Sequence, residues 1–303
     1  MRLLLVILSA CLLSAEPEHG GPASLRVTVL GGEEIPASQL QARVDSAPAT
    51  IRSVLGPSDD LMILIVMDLT GDLSLADPAR EALVESIQQL PANTVVGLLR
   101  AQDGLRVVKD PEADRAGMAE ALRAMQVSGK AGLLNTVETA VQLADRIAAK
   151  SEIRLAILYV TDSNIYNYRE DYTNPVVNSS DSRDLSRRFP EGLVKEKTAR
   201  LVSLLAAHQT PLFILHLERR ADRLNEAYQT GLLEMAAVTG GSTDICRTLG
   251  EVPASVGKML HLIQSHYSVE VELPAVTGRQ VVIGLEAPGM SLRYRSRFQL
   301  RSP

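Results

Sequence analysis

Three oxygen-bearing side chains stand at alternate positions in Asp68-Leu69-Thr70-Gly71-Asp72. In an extended turn that spacing projects all three to the same side. Hard cations such as Mg²⁺ and Ca²⁺ take oxygen ligands of this kind. A fourth group, Asp162, closes a second apolar stretch in the same manner as Asp68 closes the first. The same carboxylates would also suit a purely structural role at the start of a helix, where the backbone dipole favours negative charge. Other chemistry is sparsely provided. There are five histidines, and no Gly-x-Ser-x-Gly, His-Glu-x-x-His or Gly-x-x-x-x-Gly-Lys-Ser/Thr motif. His208 and His216 flank an expected strand and read as packed imidazoles, and Cys246 reads as a small buried hydrophobe.

The elements that must position these groups follow from the hydrophobic pattern. Leu61-Met62-Ile63-Leu64-Ile65-Val66-Met67 is a continuous apolar run, the mark of a strand buried on both faces of a parallel sheet. Ile153 to Thr161 is a second. Between and after them, helices are expected over 77–90, 111–125, 135–149, 193–207, 225–238 and 252–264, with strands over 94–101, 105–108, 211–217 and 242–246. Alternation over some 200 residues predicts a doubly wound, mostly parallel α/β sheet with helices on both faces. In such a sheet, ligands bind outside the carboxyl ends of the strands, so Asp68 and Asp162 belong on one rim. Leu25 to Leu30 alternates like a leading strand, 35–55 has a loose helical spacing, and the tail from Tyr267 alternates as antiparallel strands. The organisation expected is a leader over 1–15, a strand and linker segment over 16–60, the α/β domain over 61–266 and a β extension over 267–303.

A buried strand ending in Asp-x-Thr-Gly-Asp, a second ending in Thr-Asp-Ser, and the alternation between them resemble the von Willebrand factor A domain. The tail resembles the ending of the exported bacterial proteins related to that family. In the family the first motif is Asp-x-Ser-x-Ser. It is joined by a Thr before a later helix and an Asp after the fourth strand, and together they form the metal-ion-dependent adhesion site. The resemblance therefore implies a Rossmann-like fold, a Mg²⁺ or Ca²⁺ cofactor, and a ligand set of Asp68, Thr70, Asp72, Asp162 and, from the third loop, Thr136 or Asn135. Two departures stand out. Asp72 takes the place of a serine, and Leu133-Leu134-Asn135-Thr136 stands where the family has Gly-Gly-Thr.

Residues 163–192 are polar, with Tyr166, Tyr168, Arg169 and Tyr172 among them. Tyr and Arg are favoured at protein-binding hot spots, so this loop is expected to meet a protein partner near the rim. A solvated insertion is the alternative. Hydrophobic residues make up 46% of the chain, aromatics 3%, and the net charge is −5. That balance disfavours nucleic acid, which needs clustered Lys and Arg and stacking aromatics. Arg2, the apolar run Leu3 to Leu13 and the small residues Ser14-Ala15 read as a secretory signal, too short for a membrane span of about 20 residues. Leu8-Ser9-Ala10-Cys11 also fits the box before a lipid-anchored cysteine. The function expected is thus an exported, non-catalytic protein-binding or scaffolding module, periplasmic or extracellular. The alternatives are a metal-free structural subunit of an envelope complex and a hydrolase built on the same sheet.

Overall fold

The computed structural model describes residues 24–31, 34–168, 190–274 and 280–300. The chain begins with β1 (Ser24–Leu30), β2 (Gln41–Val44), β3 (Ala47–Ala49) and β4 (Ile51–Leu55). The helical spacing over 35–55 is therefore overruled. Ala42 and Val44 are buried while Gln41 and Arg43 are exposed, the two-residue period of a strand. Asp45 and Ser46, at φ 48° and 73°, form the tight reversal that suits a two-residue hairpin.

The α/β body follows: β5 (Leu61–Asp68), α1 (Leu73–Gln88), β6 (Thr94–Arg100), β7 (Arg106–Glu112), α2 (Arg115–Ala124), α3 (Leu133–Ala148), β8 (Arg154–Thr161), α4 (Pro190–Leu205), β9 (Leu212–His216), α5 (Arg223–Thr239), β10 (Thr243–Ile245) and α6 (Val252–Ser265). Pro111, expected at a helix start, lies in β7. The helix begins later because Asp114 caps α2, its carboxylate accepting from Gly117 N–H. Similarly α1 begins at Leu73, ahead of the expected 77, because Asp72 caps it.

The six-stranded sheet has the order β10-β9-β8-β5-β6-β7. All pairs are parallel except β6 with β7. One core joins the sheet to α1, α2 and α6, the other to α3, α4 and α5. This is the doubly wound sheet that the alternation predicted. From β5 the chain moves to β6 on one side and later returns to β8 on the other, so the gap between the carboxyl ends of β5 and β8 is the topological switch point.

The last strands are β11 (Tyr267–Glu272), β12 (Gln280–Glu286), β13 (Arg293–Tyr294) and β14 (Arg297–Gln299). They form two sheets, β13-β1-β11-β4 and β14-β12-β2-β3, with strands from both ends of the chain. Leu25, Val27 and Val29 share a core with Val269, Val271, Ile283 and Phe298. The segments 16–60 and 267–303, drawn separately from the sequence, thus contribute to one β-sandwich beside the α/β body. Their junction is held by Arg154, 1% exposed. Its guanidinium donates to the carbonyls of Gln264, His266, Pro57 and Asp59 at 2.7–3.1 Å. Those residues flank the two crossings between sandwich and body. Arg295 adds a bond to the carbonyl of His208 at 2.8 Å and a second to Ala206.

Candidate functional site

Parallel pairing puts Asp68 opposite Thr161, and the Asp162 N–H donates to the Asp68 carbonyl at 3.3 Å. The two acids therefore stand side by side at the switch point, as their strand-end positions predicted. Their environments differ. Asp68 is fully buried, and its carboxylate accepts from Gly132 N–H (2.8 Å), Leu133 N–H (3.2 Å), Thr161 Oγ1 (3.1 Å) and Ser163 Oγ (3.1 Å). Burial pushes its pKa up to about 6, against the lowering effect of those donors. Gly132 makes the approach possible, since a Cβ there would lie 2.0 Å from the Ala101 carbonyl oxygen.

Asp162 is 5% exposed. One oxygen accepts from Thr70 N–H at 2.7 Å and Thr70 Oγ1 at 3.0 Å, tying the β5–α1 turn to the end of β8. Its Oδ2 is buried and makes no hydrogen bond of regular geometry, although the Asp72 N–H lies close enough to favour the charged carboxylate. Burial again holds the carboxyl above the usual carboxylate range. Gly71, at φ 137°, turns the chain so that the Asp72 N–H also faces Asp162. The Asp72 carboxylate is exposed and caps α1, accepting from Ser74 N–H (3.0 Å) and Ser74 Oγ (2.6 Å). The Ser74 hydroxyl holds it below the usual range.

The third loop breaks the expected set. Thr136 is 4% exposed and lies inside α3, its hydroxyl donating to the Gly132 carbonyl and meeting Tyr159 Oη, both at 2.8 Å. It points into the core because α3 begins two residues earlier than the sequence pattern suggested. Leu133 joins Gly132 in donating its N–H to Asp68, and its side chain is fully buried. Among the described residues no three His, Cys, Asp or Glu side chains cluster as a metal-holding group. The oxygens that fit a hard cation here are the orphaned Asp162 Oδ2, the Thr70 hydroxyl and the neighbouring Asp72, with Asp68 behind them.

Beneath the acids lies a polar layer that sequence reading missed. Ser163 Oγ meets Thr161 Oγ1 (2.6 Å), Tyr228 Oη (3.2 Å) and Tyr168 Oη (3.4 Å). His216 Nε2 donates to the Ser163 carbonyl at 2.9 Å, and burial lowers its pKa to about 4, so it is a neutral structural imidazole. Tyr168, expected to face a partner, is 5% exposed. Its hydroxyl contacts Tyr228 Oη at 3.1 Å. Ile165 just before it is fully buried, so this end of the loop is pinned to α5. Tyr166 is 53% exposed and donates to Asp222 at 3.0 Å. Arg169 and Tyr172 lie outside the described residues.

The rim carries exposed apolar groups as well: Leu73 at 56% and Leu249 at 47%, beside Tyr166. A cleft of about 240 Å³ opens next to Asp72, floored by Leu75 and Leu217 and edged by Glu218, Arg247 and Leu249.

No family model and no curated protein matches the chain. Solved structures similar to it include a von Willebrand factor type A protein from Catenulispora acidiphila, at 12% identity and TM-score 0.46, covering 92% of this chain and 74% of that one. The conserved hypothetical protein BatB from Bacteroides thetaiotaomicron is similar at 13% identity and TM-score 0.41, with 67% and 98% covered. So is proximal thread matrix protein 1 from the mussel byssus, described with a zinc-occupied metal-ion-dependent adhesion motif, at 9% identity and TM-score 0.45, with 72% and 48% covered.

Proposed function

We propose that the chain is an exported recognition module that engages a protein partner at the carboxyl rim of its sheet and catalyses no reaction. A divalent ion, Mg²⁺ or Ca²⁺, would sit on Asp162 Oδ2, Thr70 Oγ1 and Asp72, with Asp68 fixing the loops behind it. The observation that carries this reading is the unpartnered, buried Asp162 Oδ2 at the switch point. A buried carboxylate oxygen without a donor is costly, and a cation with water filling its remaining positions would satisfy it. The bound ion would give a partner's oxygen a place to coordinate. The surrounding Leu73, Tyr166 and Leu249 supply the apolar contact that partner recognition uses.

Against a hydrolase, the imidazole nearest the rim bonds the carbonyl of Ser163 and leaves the hydroxyl to the tyrosines. That imidazole and that hydroxyl are therefore not paired as base and nucleophile. The second reading is a metal-free structural subunit, favoured by one observation: the third loop offers buried Leu133 where a hydroxyl ligand would be needed.

Thermal unfolding in EDTA, then with Mg²⁺ or Ca²⁺, separates the two, because a ligand bound only to the folded state raises stability by mass action. We expect a metal-dependent rise in Tm that disappears in Asp162→Asn. No rise with metal in excess would assign the metal-free reading. Export is checked by the mature amino terminus recovered from the envelope fraction; an uncleaved cytoplasmic product would reject it, and a lipid-modified Cys11 would show an anchored form.

A further inference from the structure

Resting on the partner-binding part of that reading and not on its metal, we infer that the cleft beside α1 takes an acidic, aliphatic segment of a protein partner, with Arg247 receiving its carboxylate. Leu75 and Leu217 floor this cleft, and Leu249, 47% exposed, lines it as an apolar wall. At about 240 Å³ it lies below the roughly 300 Å³ at which small-molecule pockets begin, a size for single side chains of a peptide. Its charged groups set what fits. Both acids at its edge are already committed. Asp72 accepts from Ser74 N–H (3.0 Å) and Ser74 Oγ (2.6 Å) at the start of α1, where the helix dipole stabilises negative charge, and Glu218 pairs with Arg220 at 2.6 Å. Arg247 has no such match. It is exposed, its main-chain N–H donates to Glu251 at 2.8 Å, and its guanidinium has no ion pair or hydrogen bond among the described residues. Arg219 stands beside it in the same state. The β9–β10 ladder runs on past both strands, Cys246 N–H donating to the His216 carbonyl at 2.9 Å and Arg219 N–H to the Cys246 carbonyl at 2.7 Å, so the two arginines leave adjacent backbone. In a chain of net charge −5, two unpaired guanidiniums next to an apolar floor complement a carboxylate, which the planar guanidinium fork can receive through two parallel bonds.

The test titrates the isotope-labelled full chain, in EDTA, with three short end-blocked peptides of alternating Leu and Glu, Leu and Gln, or Leu and Lys, read by backbone amide shifts. We expect the Leu–Glu peptide to move the Thr248 and Leu249 amides and to bind more tightly than the other two. Arg247→Gln keeps the main-chain bond to Glu251 and removes the charge. Loss of one charge at roughly 5 Å in water predicts Leu–Glu binding about fourfold weaker in that variant, with Leu–Gln binding unchanged. Arg247→Lys, which keeps the charge, should retain most of the affinity, and Leu249→Ser should weaken both the Leu–Glu and the Leu–Gln peptide. Equal Leu–Glu binding by wild type and Arg247→Gln, or tighter binding of the Leu–Lys peptide, would overturn the inference; shifts confined to Leu73 and Tyr166 would do the same while keeping partner binding at the rim. No shift of any rim amide with any of the three peptides removes the inference and the partner-binding reading together.

Discussion

The two ends of the central sheet bury charge in opposite ways. At the amino end, Arg154 is enclosed by four carbonyls from the two crossings into the sandwich. Asp145 there binds His208 Nδ1 at 2.7 Å and both the N–H and hydroxyl of Thr210. At the carboxyl end, Asp162 keeps an oxygen with no hydrogen bond of regular geometry, and Leu73, Tyr166 and Leu249 from the loops of that end stand half exposed. Charge bonded from several sides fastens elements together, even though Arg154 Nε itself is left without a partner, whereas the open oxygen of Asp162 stands at the rim. Asp68 belongs to the first type although it stands at the second end, since four donors converge on it. The rim is thus built on a saturated acid and presents an unsaturated one.

That contrast can be broken most forcefully at Arg154. Arg154→Met removes this donor from the carbonyls of Gln264, His266 and Pro57, while Asp59 keeps Asn93 Nδ2, and we expect a loss of about 3–5 kcal/mol in denaturant unfolding. A loss below about 1 kcal/mol would mean that the junction does not depend on it.

Acid comes next. Burial lowers the pKa of His216 and of His266, beside Arg154, to about 4, so their contribution is complete above the ordinary histidine value and is lost as pH falls through 6.5 toward 4. Asp68, raised to about 6, works in reverse and gains stability between pH 6 and 3.8. Asp162, also held above the usual carboxylate range, acts with Asp68, and we expect the two histidines to outweigh the two acids with a net loss on the order of 1–2 kcal/mol between pH 7 and 4.5. An unchanged unfolding free energy across that range would contradict the buried neutral histidines.

A sharper comparison sets Asp68→Asn against Asp162→Asn. An amide at Asp68 must turn an NH₂ toward converging donors and should cost about 2–3 kcal/mol. At Asp162 the amide oxygen can keep Thr70 while the nitrogen replaces the orphaned oxygen, so the change should stay within about 1 kcal/mol. The smallest pair separates the tyrosines: Tyr168→Phe should lose about 1 kcal/mol through its buried hydroxyl, whereas Tyr166→Ala should shift stability by no more than about 0.5 kcal/mol. Equal effects within either pair would erase the distinction drawn between saturated and open groups.

Much of this arrangement was legible from the chain. Runs such as Leu61 to Met67 admit few readings, and an Asp at the end of each of two buried parallel strands places both on one rim. Other parts resisted because their signals are local or ambiguous. The strands from Gln41 to Leu55 are short, and alternation over four residues competes with a loose helical spacing. The fate of Thr136 turned on a two-residue difference in where α3 begins, which the backbone around Gly132 decides. Arg154 opens an otherwise apolar strand, and its charge, passed over when that strand was read as wholly apolar, is the signal that points to a buried structural role. Ser163, Tyr168, Tyr228 and His216 come from three separate elements, and nothing in their spacing announces that their polar groups meet.

The shared sandwich also imposes an order of events on biogenesis. Val27 pairs with Val269 and Val29 with Tyr267, so the first strand waits until the whole α/β body has been made. The α/β body ends at Ser265 and can assemble while Leu25, Val27 and Val29 still lack their partner face. During synthesis or translocation the leading strand is a sticky, unpaired edge, and a chain cut short before Tyr267 would keep it so. Arrival of β11 and β13 covers that edge from both sides.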